Sequence, residues 1–500
     1  MNNASTMKKP PYGMIAIMFV GAFVAFLNNT LLNVALPTIM KDFGINYATV
    51  QWLATGYMLV SGILVPASAF LVMRFKNKHL FIASMSIFTI GTIMAGFAPS
   101  FEVLLAGRMV QAVGASSMSP LLMNIMLISF PKEKRGTAMG IFGLVMFAAP
   151  AIGPTLSGWI VEHYDWRMLF KMIIPFAIIS VVFGVWKLEN VMETRDVRLD
   201  FPSLLLSTVA FGSILYGFST AGSKGWSDPF VYGTIIVGVV ALIVFIMKQL
   251  RMDEPLLELR IYKYPMFALA SVISVIVSMA MFSGMILTPA YVQTVRGIDP
   301  FEAGLMMLPG ALVMGFMSPI TGKLFDKTGP RMLAIFGLGV TTISTFGLTQ
   351  LEIDSSYTYI ISMYTLRMFG LSMVMMPIMT NGLNQLPQMM NPHGTAVNNT
   401  VQQVAGAIGS AVMVTIMNNR ANSSAEELVA GAQVKAAQSG ATLSAEQVEQ
   451  IKQAALLDGI NHSFFIAAII TVVALILAFF LKRVNVESAA ASMDLKKPTT

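Results

Sequence analysis

Apolar runs of 18 to 25 residues recur along nearly the whole chain, separated by short polar connections. A run of that length crosses roughly 30 Å of hydrocarbon as a helix. The runs fall near 14–36, 47–72, 80–98, 103–129, 138–161, 169–187, 203–220 and 230–249, then near 267–290, 303–324, 332–349, 358–380, 395–417 and 463–482. The pattern predicts an all-α membrane protein with 14 transmembrane helices. Most connections are too short for anything but neighbouring packing of consecutive helices.

Two stretches interrupt the rhythm. The charged segment from Glu189 to Asp200 precedes two spans that read as an insertion between a first and a last set of six. The expected organisation is therefore two six-helix bundles with pseudo-twofold symmetry plus two inserted central helices. Its boundaries are 1–188 for the first bundle, 189–260 for the insertion and its linkers, 261–482 for the second bundle, and 483–500 for a tail. The other interruption, 421–462, is polar and rich in Ala, Gln and Glu. Ser423 with Glu426 and Ser444 with Gln447 have capping-box spacing, so this external loop reads either as two short helices or as a solvated flexible loop.

With 55% hydrophobic residues, 11% charged residues and a mean hydropathy of +0.71, the chain has too few polar side chains to cover a soluble globule. The net charge of +7 would suit nucleic acid in a soluble protein, but the basic residues lie in short clusters between apolar runs. Of 32 lysines and arginines, 22 fall on the side of the amino terminus, 8 on the other, and Arg108 and Arg367 lie within spans. That asymmetry places both termini in the cytoplasm of a bacterial cell, with the chain in its inner membrane and no nucleic-acid partner. Lys8 and Lys9 before the first run resemble a signal peptide, but the run is long and lacks a small-residue cleavage pattern, so it reads as the first membrane helix. The absence of cysteine excludes disulfides and thiolate chemistry. No metal-spaced His/Asp/Glu cluster, Ser/His/Asp arrangement or phosphate loop points to an enzyme, and no charged ring or filter segment points to a channel.

Internal repetition points to transport. Arg74, Lys76 and Lys78 follow the second span, and Gly322-Lys-Leu-Phe-Asp326-Lys327-Thr-Gly329-Pro-Arg331 follows the tenth. Corresponding loops in two halves imply duplicated bundles with a binding site between them. Arg108, Gln111 and Gly114 share a helix face, and an arginine in an apolar span must point into the protein or a wet cavity. Arg367 in the twelfth span invites the same reasoning. Asn28, Asn29 and Asn33 crowd the first span, with Asn29 and Asn33 on one face and Asn28 about 100° away. They read as cavity-lining or as bonding across helices, with Gln293, Gln402 and Gln403 as matching polar groups. Met279, Met281, Met285, Met373, Met375, Met376 and Met379 stand out among 40 methionines, as adaptable contacts for apolar ligands or as core filler.

These motifs resemble the major facilitator superfamily, and within it the fourteen-helix drug:proton antiporters of the multidrug, lincomycin-resistance-like kind. The likeness covers nearly the whole chain. Gly322, Asp326, Lys327, Gly329 and Arg331 resemble the signature of a cytoplasmic gate, with Arg74 its first-half counterpart; there Met73 replaces the aspartate and Lys76 the second glycine. The stretch from Leu104 to Gly114 resembles the fourth-helix signature, whose arginine tunes a proton site or touches substrate, the alternative being a structural arginine bonded to carbonyls. Pro150, Gly153, Pro154 and Gly158 resemble the fifth-helix signature that marks antiporters. Leu27 to Pro37 resembles the first-helix signature, but Asn28 stands where most relatives carry aspartate, and no Asp or Glu lies in the middle of any span. Glu162, Asp165, Asp200, Asp299 and Glu302 sit only at span edges.

The resemblance implies a monomeric secondary active exporter of amphipathic drugs or toxic compounds, hydrophobic or cationic. It would work by alternating access and proton antiport, with no cofactor beyond the proton gradient. The alternative is a dedicated exporter of one physiological lipid, fatty acid or signalling metabolite.

Overall fold

The computed structural model describes residues 11–439 and 445–484. Among them are 13 helices long and apolar enough to cross a membrane, and one bent pair that passes the same test as a fourteenth. No strand occurs among the described residues. Hydrocarbon offers backbone groups no hydrogen-bond partner, so a spanning segment satisfies them within its own helix.

The first set comprises α1 (Tyr12–Phe43), α2 (Tyr47–Val50), α3 (Trp52–Leu64), α4 (Ser68–Arg74), α5 (Asn77–Gly96), α6 (Phe101–Ser116), α7 (Met118–Ser129), α8 (Arg135–His163), α9 (Met168–Lys171) and α10 (Ile173–Lys187). The inserted pair is α11 (Phe201–Lys224) and α12 (Pro229–Arg251). The last set comprises α13 (Pro265–Ala290), α14 (Pro300–Thr328), α15 (Pro330–Gly347), α16 (Tyr357–Ser372), α17 (Met375–Gln385), α18 (Asn391–Ser439) and α19 (Ala445–Ala478).

Three spans are broken. α3 and α4 meet at a 54° bend over Val65-Pro66-Ala67. α6 gives way to α7 at Ser117, and α16 to α17 over Met373-Val374. Pro66, Pro120 and Pro377 stand beside these breaks, each removing one i−4 hydrogen bond. Asp200, Asp228 and Asp299 start α11, α12 and α14 as N-caps, each followed by proline in the first turn.

The bundles meet along two seams. In one, α8 lies along α14; in the other, α11 lodges between α3 and α18. Gly62 of α3 meets Leu215 of α11, and the Trp52 and Tyr216 rings lie 5.8 Å apart. α8 also packs on α1 and α3 on α6, so the seams flank α1 and α6 on one side; α14 packs on α16 and α18 on α13, so they flank α13 and α16 on the other. The halves α4, α7 and α17 reach the opposite bundle, whereas α6 and α16 pack essentially within their own. Side chains of Asn124, Arg135 and Asp326 bond across the interface at the end carrying the basic loops, and α8 and α14 stay in contact from Gly136 and Gly322 at that end to Gly158 and Phe301 at the other.

Residues 421–439 continue α18 without a break. Two short external helices starting at Ser423 and Ser444 are therefore not what forms. Ser423 lies inside a helix of 49 residues, about 73 Å long at 1.5 Å per residue and more than twice a bilayer core. Alanines 421, 425, 430 and 432 favour propagation over a new cap. Ser444 lies outside the described residues. The projecting parts of α18 and α19 pack together, with Arg420 2.7 Å from Asp458.

The seam between α8 and α14 depends on missing side chains. A methyl group at Gly322 would overlap the carbonyl oxygen of Gly136, and one at Gly140 would lie 2.5 Å from the Ser318 carbonyl oxygen. Gly322→Ala should therefore destabilise the protein by about 1–3 kcal/mol through overpacking. A melting temperature in detergent equal to wild type would show that the backbones are not this close.

Candidate functional site

A polar network crosses the first bundle. The Asn28 amide donates to Gln111 Oε1 at 3.1 Å, and the same oxygen accepts from Arg108 at 2.9 Å. Gln111 donates to Thr92 Oγ1 at 2.9 Å, and Arg108 Nε donates to the Leu53 carbonyl at 3.4 Å. The guanidinium lies 4.4 Å from the centre of the Tyr57 ring. α1, α3, α5 and α6 are thereby joined through Arg108 and Gln111 together. Arg108 and Gln111 meet because a spacing of three puts them on one helix face.

The second bundle holds a counterpart. Arg367 donates from Nε to Thr345 Oγ1 of α15 at 3.1 Å and from Nη2 to the Ala280 carbonyl of α13. A Cβ at Gly284 would occupy the space of its Nη1. Arg367 therefore ties the fourth span of its set to the first and third, ties that Gln111 makes in the first bundle while Arg108 reaches the second span. Both arginines are 0% exposed, every hydrogen-bond partner is neutral, and Arg108 Nη2 and Arg367 Nη1 have no hydrogen-bond partner.

The structure brings together Asn28, Arg108 and Gln111 and leaves other sequence candidates apart. Asn28 is buried in the network while Asn29 is exposed on α1; the side chain of Asn33 lies outside the described residues. Gln293 is exposed on the π-turn Tyr291–Val295 at the end of α13. Gln402 borders a small gap beside Ser274, Val277 and Met375, and Gln403 approaches Gly62. Tyr57, Thr92 and Thr345 were not singled out from the sequence. Hydroxyls are too common in apolar spans to mark themselves; only a buried arginine needing acceptors points to them.

None of the edge carboxylates enters either network. Asp200 caps α11 and pairs with Lys248; burial pushes its carboxyl up, but hydrogen bonds from Lys248 and Ser203 outweigh this and hold it below its ordinary value. Asp299 caps α14, and Asp165 lies 3.3 Å from Arg167. Glu162 and Glu302 are exposed.

At the basic end Asp326 performs as an N-cap supplied by another helix. It accepts from the Gly136 and Thr137 backbone N–H groups at 2.8 Å each and from the Thr137 hydroxyl at 2.6 Å. The carboxylate thus satisfies orphan donors of α8 and meets the positive end of its dipole from across the interface. Arg135 donates to Asn384 at 3.0 Å and Asn124 to Thr395 at 2.7 Å, adding two further bonds between bundles. A cavity of about 180 Å³ lies beside this seal, bordered by Lys132, Asn381 and Arg483. Gly329, at φ 80°, ends α14 in a conformation suited to glycine. Lys327 and Arg331 are exposed; the Lys327 and Asp326 carbonyls accept from Arg483. Arg74 does not reach the opposite bundle. It pairs with Asp196 of the segment after α10, where the Arg195 N–H also donates to the Met73 carbonyl.

The fifth-span motif faces both bundles. A side chain at Gly153 would overlap Thr30 of α1, and Ser157 donates to the Leu31 carbonyl. A Cβ at Gly158 would lie 2.7 Å from Phe301 of α14, and one at Gly304 3.4 Å from Pro154. Pro150 and Pro154 lie within this one continuous helix.

Replacing Gln111 by Leu removes the side-chain acceptor of a buried guanidinium and should cost about 1.5–3 kcal/mol. Asn29→Leu, on the exposed face, should cost less than about 0.5 kcal/mol. Thermal unfolding in detergent separates the two; equal melting temperatures would remove Gln111 from the network.

The Major Facilitator Superfamily profile matches residues 18–410. The chain is 45% identical over 476 residues to the lincomycin resistance protein LmrB of Bacillus subtilis (strain 168), covering 95% of this chain and 96% of that one. It is 50% identical over 412 residues to the uncharacterised MFS-type transporter YhcA of the same organism, covering 82% and 77%. The solved structure of the proton:xylose symporter XylE, bound to 6-bromo-6-deoxy-D-glucose, superposes with a TM-score of 0.62 at 13% identity, covering 97% and 99%, a likeness of fold alone. With a family match over residues 18–410 and relatives along nearly its full length, the chain belongs to the Major Facilitator Superfamily and is a multi-pass membrane transporter rather than an enzyme.

Proposed function

We propose that this transporter exports amphipathic small molecules from a bacterial cell by alternating access, driven by proton antiport. The observation that carries the reading is the seal of a few hydrogen bonds between bundles at the basic end. It is made by Asp326, Arg135 and Asn124, which bond across the interface to α8, Asn384 and Thr395. The excess of lysine and arginine supports assigning the sealed end, with both termini, to the cytoplasm. A seal on that side is what the outward-facing half of such a cycle requires.

The direction of transport is supported by the resistance proteins among the relatives and by the fifth-span motif. α8 touches α1 and α14 through glycine and proline, so one helix is a sliding surface for both bundles. The working unit is one chain, because two bundles and the seams between them lie within it. Energy enters as a proton gradient, with no cofactor.

The test is substrate accumulation in sealed, inside-out vesicles under an imposed proton gradient. Accumulation that is unaffected by collapsing the gradient would refute antiport, and none for any amphiphile would refute export. Asp326→Asn keeps an acceptor oxygen but removes the charge facing the α8 dipole, at about 0.3–1 kcal/mol. Export should fall several-fold at equal membrane abundance; an unchanged rate would detach this residue from the gate. Gly153→Leu should wedge α8 from α1 and abolish export while protein still reaches the membrane. Normal pumping by that variant would reduce the fifth-span motif to ordinary packing.

A further inference from the structure

We propose that the cavity beside the seal binds a phosphate-bearing anion, which latches the two bundles together at the basic end. Such a latch acts whichever way substrate moves. The cavity, of about 180 Å³, takes its walls from both bundles: Lys132 and Glu133 from the turn before α8, and Asp326, Asn384 and Arg483 from the second bundle. At roughly 30 Å³ for each water molecule, a small oxyanion fits in it.

Three basic side chains gather here, and among the described residues no carboxylate pairs with any of them. Lys132 borders the cavity and stands within electrostatic reach of Arg135. Arg135 is buried behind Asn384, to whose Oδ1 it donates at 3.0 Å, and its Nε has no hydrogen-bond partner. Because that oxygen faces Arg135, the Asn384 amide nitrogen is the end left to donate. Arg483 donates to the Asp326 and Lys327 carbonyls at 2.7 and 3.2 Å, dipoles that hold it without cancelling its charge. Its place on the wall is fixed by Asn381, which bonds to the Lys482 carbonyl and the Val484 N–H on either side.

Two acids oppose these charges. Glu133 is exposed, where water and salt screen it. Asp326 already accepts from the Gly136 and Thr137 N–H groups and the Thr137 hydroxyl, and it faces the positive end of the α8 dipole. The basic groups are left without a counter-charge, which an anion supplies. A phosphate group suits them because its several oxygens accept from an ammonium, a guanidinium and an amide at once. Free phosphate and an anionic lipid headgroup carry the same chemistry. An ion that touches Lys132 on one bundle and Arg483 or Asn384 on the other loses half its partners when the bundles part, so its binding favours the sealed state.

The test uses the full-length protein. In detergent it is titrated with sodium phosphate against sodium chloride at equal ionic strength. In phosphate-free buffer it is placed in nanodiscs of phosphatidylcholine with or without phosphatidic acid. Melting temperature reports binding, and hydrogen exchange at the Gly136 and Thr137 amides, which donate to Asp326 across the seam, reports the seal. We expect phosphate, phosphatidic acid or both to raise the melting temperature and to slow exchange at these amides at least about tenfold. A response to phosphate alone assigns the site to a soluble anion, and a response to phosphatidic acid alone assigns it to a headgroup. No response to either would overturn the site. Stabilisation without slower exchange would overturn the latch, because the ion then sits away from the seam. Lys132→Gln should weaken the apparent affinity about tenfold, since a unit charge within roughly 12 Å at an effective dielectric near 20 has that effect. Lys134→Gln, exposed and outside the cavity, should change it less than about threefold. Equal losses in the two variants would mean general screening and overturn the site. The wild-type titrations decide the matter even if a variant fails to fold.

Discussion

Hydrocarbon offers a polar group nothing to bond to, and most of this architecture answers that constraint. Backbone groups are satisfied within helices, and where proline breaks a helix, at Pro66, Pro120 and Pro377, the gap falls inside the protein. Apolar side chains cannot drive helices together in lipid as they do in water, so close packing must do it. The α8–α14 seam shows how: backbone meets backbone at Gly136 and Gly322 because neither carries a side chain. The outer surface of α12, with Ile236, Val240 and Ile243 exposed, needs no such care and meets lipid.

The same constraint keeps the closed end breakable. The seal is a handful of hydrogen bonds from Asp326, Arg135 and Asn124, each worth about 1 kcal/mol net. It also leaves Arg135 Nε and Asn124 Oδ1 buried without a hydrogen-bond partner, a penalty that water would relieve on opening. Gains and penalties of similar size leave the seal weak, which is what the proposed alternating access requires. Gly153 and Gly158 matter for a different reason, since they let α8 approach α1 and α14 closely.

Much of this was legible in the sequence, because the length of a membrane helix is set by the bilayer and apolar runs of that length are unambiguous. The helical spans, the position of Asp326 in the loop after the tenth of them and the pairing of Arg108 with Gln111 follow from run length, repetition and helical spacing. The external segment misled because a capping box marks a start only where the helix has stopped, and alanines carry α18 straight through Ser423. The partner of Arg74 was hidden for another reason. Met73 and Lys76 show that the first-half motif is degraded, but only the fold reveals that the segment after α10 occupies the place, bringing Asp196 to Arg74. Thr345 and the Ala280 carbonyl, which hold Arg367, could not be read from a chain in which threonine and carbonyls are everywhere.

Asparagine at position 28 sets how the buried Arg108 is held. Asn28 donates to Gln111 Oε1, the atom that also accepts from Arg108, so the amide supports the arginine's acceptor while adding no charge. A carboxylate at this position could not donate that bond. Gln111 would turn its amide toward the acid, and Arg108, one residue away in the network, would have a counter-charge close enough to pair with or be bridged to. The site would become a neutral acid–base pair, able to exchange a proton. With asparagine the network is neutral except for the arginine, and its hydrogen bonds have no carboxylate to titrate. Position 28 therefore decides whether the buried Arg108 sits among neutral acceptors, as here, or beside a counter-charge.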